Sequence, residues 1–249
     1  MTNDSSTFRP FRSTTAPEMT GLRPPRHFLQ AARPSLTFRH MKAMGSAIGL
    51  TLTLIAPTHA QVPSATTRVV LLVDSSTATQ AHFQRMRTAL TAFVEALPEG
   101  TEVGMVSTGG QLRVRVAPTT DRTAVTKATN AFSADGGGNA FIDALLESYD
   151  RFFKKETDKR AIFVIVSTDS ENRADPRLED YNKFLNEFRQ RRGVAHAAVI
   201  RDKQIGFVSQ IAENLTGNTG GAYQLLQLSS ALPDAMTQVA TRVATAATR

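Results

Sequence analysis

Residues 68–73 (RVVLLV) and 161–168 (AIFVIVST) are near-continuous runs of Val, Ile, Leu and Phe, and each leads into an aspartate, Asp74 and Asp169. A strand that is apolar on both faces must be covered on both faces, which places it inside a parallel sheet with helices packed above and below. The segments around these runs supply such helices. Residues 79–97 carry Phe83, Met86, Leu90, Phe93, Val94 and Leu97 at steps of three and four, one face of a helix that Pro98 and Gly100 end. Ile142, Leu145, Leu146, Tyr149 and Phe153 form a second stripe, with Lys154 and Lys155 at its C-terminus. Leu178, Tyr181, Phe184, Leu185 and Phe188 form a third.

Shorter elements fill the remainder. TEVGMVST and LRVRVAP read as strands joined by a hairpin at Gly109-Gly110, and VAHAAVI and AYQLLQL as two more strands. A short helix follows Thr120 or Asp121 as its cap, another spans 205–216, and Ser230 caps a closing helix through Leu232, Met236, Val239 and Val243. Strands alternating with helices predict a doubly wound, mostly parallel α/β sheet, Rossmann-like, with helices on both faces.

The N-terminal part reads differently. Residues 1–40 are rich in Arg, Pro, Ser and Thr and hold only Asp4 and Glu18 as acids, the composition of a disordered basic extension or a mis-assigned start before Met41. Residues 41–60 (MKAMGSAIGLTLTLIAPTHA) have one lysine, an apolar stretch and small residues at Thr58 and Ala60, the layout of a signal peptide. The apolar stretch is short for a membrane span. The expected domain is therefore 61–249, secreted or periplasmic after cleavage near Ala60, with no membrane span in the mature chain.

Charge and ligand chemistry narrow the function. The net charge is +7, but residues 61–249 hold 22 basic and 20 acidic residues, so the excess sits mainly in the leader and gives the body no nucleic-acid footprint. There is no cysteine, and His82 and His196 are the histidines after Ala60, which removes thiol chemistry and a multi-histidine zinc site. Any metal would be a hard cation with oxygen ligands. His196 lies within an apolar strand and reads as a buried, satisfied residue. Gly136-Gly137-Gly138 reads as a tight turn, with a phosphate cradle as the weaker alternative. Arg189, Arg191 and Arg192 read as a solvated face at a helix end.

In an open parallel sheet, ligands bind outside the carboxyl ends of the strands, where the strand order reverses. Asp74 and Asp169 both end strands, so DSSTA and STDSEN are expected to face one crevice, joined there by GGGNA at a helix start. Pure helix capping by these acids and hydroxyls is the competing reading.

Three blocks resemble the von Willebrand factor type A domain family and its metal-ion-dependent adhesion site (MIDAS). VVLLVDSSTA is similar to the strand and Asp-x-Ser-x-Ser loop of that family, GGGNAFIDAL to its glycine-threonine loop and helix, and FVIVSTDSEN to the strand bearing its last acid. The resemblance implies Asp74, Ser76, Asn139 and Asp169 as ligands of Mg²⁺ or another divalent cation, with a protein partner completing the site. Two positions depart from the pattern: Ala78 stands where the family has serine, and Asn139 where it has threonine. The function implied is an exported, non-catalytic module that binds a protein partner. The alternatives are a hydrolytic or phosphotransfer enzyme using Asp74 as nucleophile, and a structural envelope component whose acids only cap helices.

Overall fold

The structure is a computed structural model, and it describes residues 66–169, 177–202 and 206–247. The segments expected to be a basic extension (1–40) and a signal peptide (41–60) lie outside the described residues. The strands are β1 (Thr67–Val73), β2 (Glu102–Ser107), β3 (Arg113–Thr119), β4 (Arg160–Thr168), β5 (Val194–Ile200) and β6 (Tyr223–Leu226). The helices are α1 (Phe83–Ala96), α2 (Arg122–Asn130), α3 (Phe141–Phe152), α4 (Leu178–Gln190), α5 (Phe207–Thr219) and α6 (Leu232–Ala247).

The six strands form one sheet in the order β3-β2-β1-β4-β5-β6. Only the β2–β3 pair is antiparallel, and the other pairs are parallel. The order reverses at β1: the chain winds outward through β2 and β3, then returns to lay β4 on the other side of β1. That reversal opens a crevice between the carboxyl ends of β1 and β4.

The period-2 alternation of the strands sends successive side chains to opposite faces, and each face has its own core. Val69, Leu71 and Val73 pack with Met86, Leu90 and Phe93 of α1 and Met236, Val239 and Val243 of α6. Val70, Leu72, Phe163 and Ile165 pack with α3, α4 and α5 through Leu145, Tyr149, Phe184, Phe188 and Leu215. Phe163 is fully buried, with ring centroids 4.9 Å from Phe153 and 5.4 Å from Phe188. Truncating such a ring to alanine costs about 3–5 kcal/mol.

Several local expectations are revised. The first helix opens with a 3₁₀ turn, Thr77–His82, before α1 proper. Asp121, not Thr120, caps α2, accepting the Ala124 amide at 3.1 Å. Ser230 caps nothing; it lies inside a 3₁₀ turn, Ser229–Ala231, that leads into α6. Helix α3 ends at Phe152, before Lys154 and Lys155. Arg191 is not a solvated arginine: it donates to the carbonyls of Phe153 and Glu156 and lies over the Tyr149 and Phe153 rings. His196 is buried as expected, its Nδ1 accepting the Ala222 amide at 3.0 Å. Among the described residues, no helix is long and apolar enough to cross a membrane.

Candidate functional site

Asp74 follows the last residue of β1 and stays in the sheet, donating its amide to the Val166 carbonyl of β4 at 2.9 Å. It is 1% exposed. Its Oδ1 accepts the Ser76 amide at 2.9 Å, the local turn that Asp favours after a strand. Its Oδ2 has the Ser167 hydroxyl at 3.1 Å, the Thr168 hydroxyl at 3.1 Å and the Thr168 amide at 3.4 Å. A carboxylate has about four lone-pair positions. These protein donors approach that number, so the buried charge is answered by the fold itself.

Asn139 extends this network. It precedes α3, pairs with Gly109 across an isolated bridge, and is 1% exposed. Its Oδ1 accepts the Thr108 hydroxyl at 2.6 Å, and its Nδ2 donates to Ser167 Oγ at 2.9 Å. The chain Thr108–Asn139–Ser167–Asp74 thus links the ends of β2, the α3 entrance, β4 and β1. Ser76 sits beside it, 1% exposed, and its Oγ has no hydrogen-bond partner.

Asp169 lies on the same rim, one residue beyond β4, and its amide donates to Ile200 of β5 at 2.9 Å. Its carboxylate turns toward α5. Oδ2 accepts the Gly206 amide at 2.7 Å and Oδ1 the Ser209 amide at 3.0 Å, so it satisfies free donors at the start of that helix. The capping role weighed against a binding role describes Asp169 well and Asp74 poorly. The structure therefore brings Asp74, Ser76 and Asn139 into one network and places Asp169 beside it with its oxygens committed elsewhere.

A second network supports the first. Asp135, with its side chain 4% exposed, accepts the hydroxyls of Ser75 at 2.7 Å and Ser107 at 2.6 Å and pairs with Arg115 at 2.5 Å. Ser75 Oγ accepts the Gly109 amide at 2.8 Å, and Ser75 O accepts the Asp135 amide at 2.9 Å. Burial pushes the Asp135 carboxyl up, but the bonds from Ser107, Ser75 and Arg115 outweigh it and hold it below the usual carboxylate value. Sequence reasoning did not find this residue. The one available signal was an acid directly before a glycine run, with Arg113 and Arg115 alternating on a nearby edge strand.

The glycine turn is a fastening, not a phosphate cradle. Gly137 O accepts the Thr77 amide at 3.2 Å and hydroxyl at 2.9 Å, and Gly138 O accepts the Gly110 amide at 2.7 Å. Gly137 has φ +68°, and a Cβ there would lie 3.0 Å from Gly110 Cα. Carbonyls pointing into neighbouring loops offer nothing to an anion.

The implied cation can be tested against these oxygens. Mg²⁺ demands a near-ideal octahedron and sheds water reluctantly. Ser76 Oγ is available beside Asp74. Ala78 has no side-chain oxygen, Asn139 spends its oxygen on Thr108 and directs an amide donor at Ser167, and Asp169 is held by two amides. The donor set does not fit a tightly held octahedral cation.

Comparison with known proteins places the fold. The structure superposes on a von Willebrand factor type A protein from Catenulispora acidiphila with a TM-score of 0.60 at 13% identity, over 72% of this chain and 43% of that one. BatB from Bacteroides thetaiotaomicron matches with a TM-score of 0.54 at 14% identity, over 72% and 99% of the two chains. Proximal thread matrix protein 1 of the mussel byssus, in a form with a zinc-occupied MIDAS motif, matches with a TM-score of 0.55 at 16% identity, over 71% and 48%. No curated protein matches the sequence. The sequence profile of the von Willebrand factor type A domain matches residues 69–214, more than half of the chain, and the protein belongs to that family.

Proposed function

We propose that this chain is an exported, non-catalytic binding module that recognises a protein partner at the carboxyl edge of its sheet and does not depend on a bound cation to do so. Domains of this family are protein-interaction modules in many relatives, and the reading carries that role to this rim. The observation that carries it is the double network centred on Asp74 and Asp135. It fastens the loops after β1 and β2 and the turn before α3 into one rigid surface, and a surface fixed in advance loses little freedom on binding. Leu178, 47% exposed, and Leu228, 68% exposed, are the large hydrophobic side chains left open among the described residues. Leu178 begins α4 after β4, and Leu228 follows β6, so both lie on this edge. They supply apolar anchors that a polar rim alone lacks.

The phosphotransfer alternative needs Asp74 open to a substrate. A carboxylate that is 1% exposed and surrounded by protein donors is poorly placed to attack. Export rests on the layout of residues 41–60, and mass spectrometry of the mature protein tests it: an N-terminus at Gln61 supports it, and retention of residues 41–60 refutes it. The edge is tested by replacing Leu178 and Leu228 with serine in the full chain. Partner capture should fall about tenfold or more with the melting temperature unchanged. Undiminished capture would remove this surface from consideration.

A further inference from the structure

The opposite edge of the sheet, where the parallel strands begin, carries a second feature. A cavity of about 380 Å³ opens between the last turns of α6 and the starts of β4 and β5, lined by Arg160, His196, Gly220 and Arg242 among others. A second cavity of about 290 Å³ adjoins it, sharing Arg160 and Val194 and adding Arg189 and Arg192. Among the described residues, no acidic side chain lines either one.

The contrast with neighbouring cations is informative. On the same edge, Arg68 and Lys159 each pair with Glu102 at 2.6 Å. Among the described residues, Arg160, Arg189, Arg192 and Arg242 have no carboxylate within ion-pair distance. The ordinary explanation is that arginines at helix ends answer the helix dipole, and Arg160 does donate to the Ala246 carbonyl of α6. A helix C-terminus supplies only about half a negative charge. The first cavity holds two guanidinium groups, so positive charge remains.

His196 gives the cavity direction. It is 4% exposed, and because its Nδ1 accepts the Ala222 amide, its proton sits on Nε2. Burial, then the nearby Arg242 charge, pushes its pKa down to about 4. The ring therefore stays neutral at ordinary pH and offers one N–H donor and no charge. Thr241 and Thr245 also line the cavity, but their hydroxyls donate back to Thr237 and Thr241 carbonyls along α6. The donors left for a guest are Arg160, Arg242 and the imidazole N–H. That set, with no competing acid among the described residues, suits a tetrahedral oxyanion.

We infer that this edge binds a phosphoryl group, seated between Arg160, Arg242 and His196, at a site separate from the partner-binding rim. The group comes either from a small soluble phosphate or from a phospholipid headgroup. The test is a titration of the full exported chain with inorganic phosphate, against sodium chloride at matched ionic strength, followed by the His196 ring signal and the amides of Gly220 and Arg242. Saturable shifts with phosphate only are expected, and Arg242→Gln should weaken them about tenfold. A parallel arm sediments the chain with phosphatidylglycerol vesicles. Arg242-dependent co-sedimentation identifies a headgroup, and phosphate shifts without it identify a soluble ligand. Arg242→Gln lies on an exposed helix position, and its melting temperature without phosphate reports its folding. Shifts that chloride reproduces, or that survive in a folded Arg242→Gln variant, would overturn the inference.

Discussion

Ser75 Oγ lies 2.7 Å from Asp135 Oδ2, sixty residues away in the chain, and the same Ser75 hydroxyl accepts the Gly109 amide at 2.8 Å. One serine thus ties the β1 loop to both the hairpin and the turn before α3. Ser107, Arg115 and, at 3.4 Å, Arg113 complete the shell around Asp135. Removing the carboxylate leaves Arg115, Ser75 and Ser107 without their acceptor. Asp135→Ala should cost about 2–4 kcal/mol in urea unfolding, because Arg115 still reaches water but the hydroxyls do not. A change under about half a kcal/mol would show that the rim is not fastened here.

Acid should loosen the same fastening. The folded-state pKa of Asp135 is depressed, so its stabilisation is present above the unfolded value of about 3.9 and is lost as pH falls through the folded value. Below pH 4, the wild type should lose stability faster than Asp135→Asn. Equal slopes for the two chains in that range would contradict the bonding described.

His196 sets a second pH window. Its folded pKa of about 4 lies below the ordinary histidine value of 6.5, so the unfolded chain takes up the proton first. The contribution is complete above about pH 6.5 and falls as pH drops toward 4, by about 3 kcal/mol in total. A His196→Gln variant should show a flatter stability profile between these limits. A parallel profile would place the histidine in contact with water.

Gly137 sits at φ +68° with Gly110 Cα 3.0 Å from where its Cβ would be. Gly137→Ala should destabilise by about 1–3 kcal/mol through backbone strain and displacement of the hairpin tip. Gly217→Ala is the control: it lies in α5 with open space at its Cβ, and it should be neutral or stabilising by up to about 1 kcal/mol.

The metal question can be asked in the gain direction. Mg²⁺ should leave the wild-type melting temperature unchanged. Ala78→Ser with Asn139→Thr restores two oxygens and removes the amide donor facing Ser167. The double variant should gain a saturable shift, about 2.7 kcal/mol at a hundredfold excess over its Kd. A wild-type response as large as that of the double variant would show that Asp74 and Ser76 hold the ion with water alone.

Much of this architecture was legible because burial on both faces leaves a strong trace. RVVLLV and AIFVIVST could only be central strands, and the helical stripes of Phe184 and Phe188 or Met86 and Leu90 named their own inward faces. The common rim for Asp74 and Asp169 followed from parallel topology. What the sequence could not show was the direction of each carboxylate. Asp169 and Asp74 end similar strands, yet one turns to the α5 amides and the other to Ser167 and Thr168, a choice made by residues thirty-seven and ninety-three positions away. Asp135 was hidden for the same reason, since its partners come from the loop after β1 and from strands β2 and β3. The cap of α6 failed locally, because a 3₁₀ turn at Ser229–Ala231 shifted the helix start by two residues past Ser230.

The proposed partner docks on the carboxyl edge without a bridging cation. A photo-crosslinking residue placed at Leu178, at Leu228, and at Asn218 on the opposite edge, in the full chain expressed in its native host, tests it directly. One adduct of the same mass is expected from Leu178 and Leu228, unchanged by EDTA, and none of that mass from Asn218. Adducts from Asn218 alone, or rim adducts that vanish with EDTA, would contradict it.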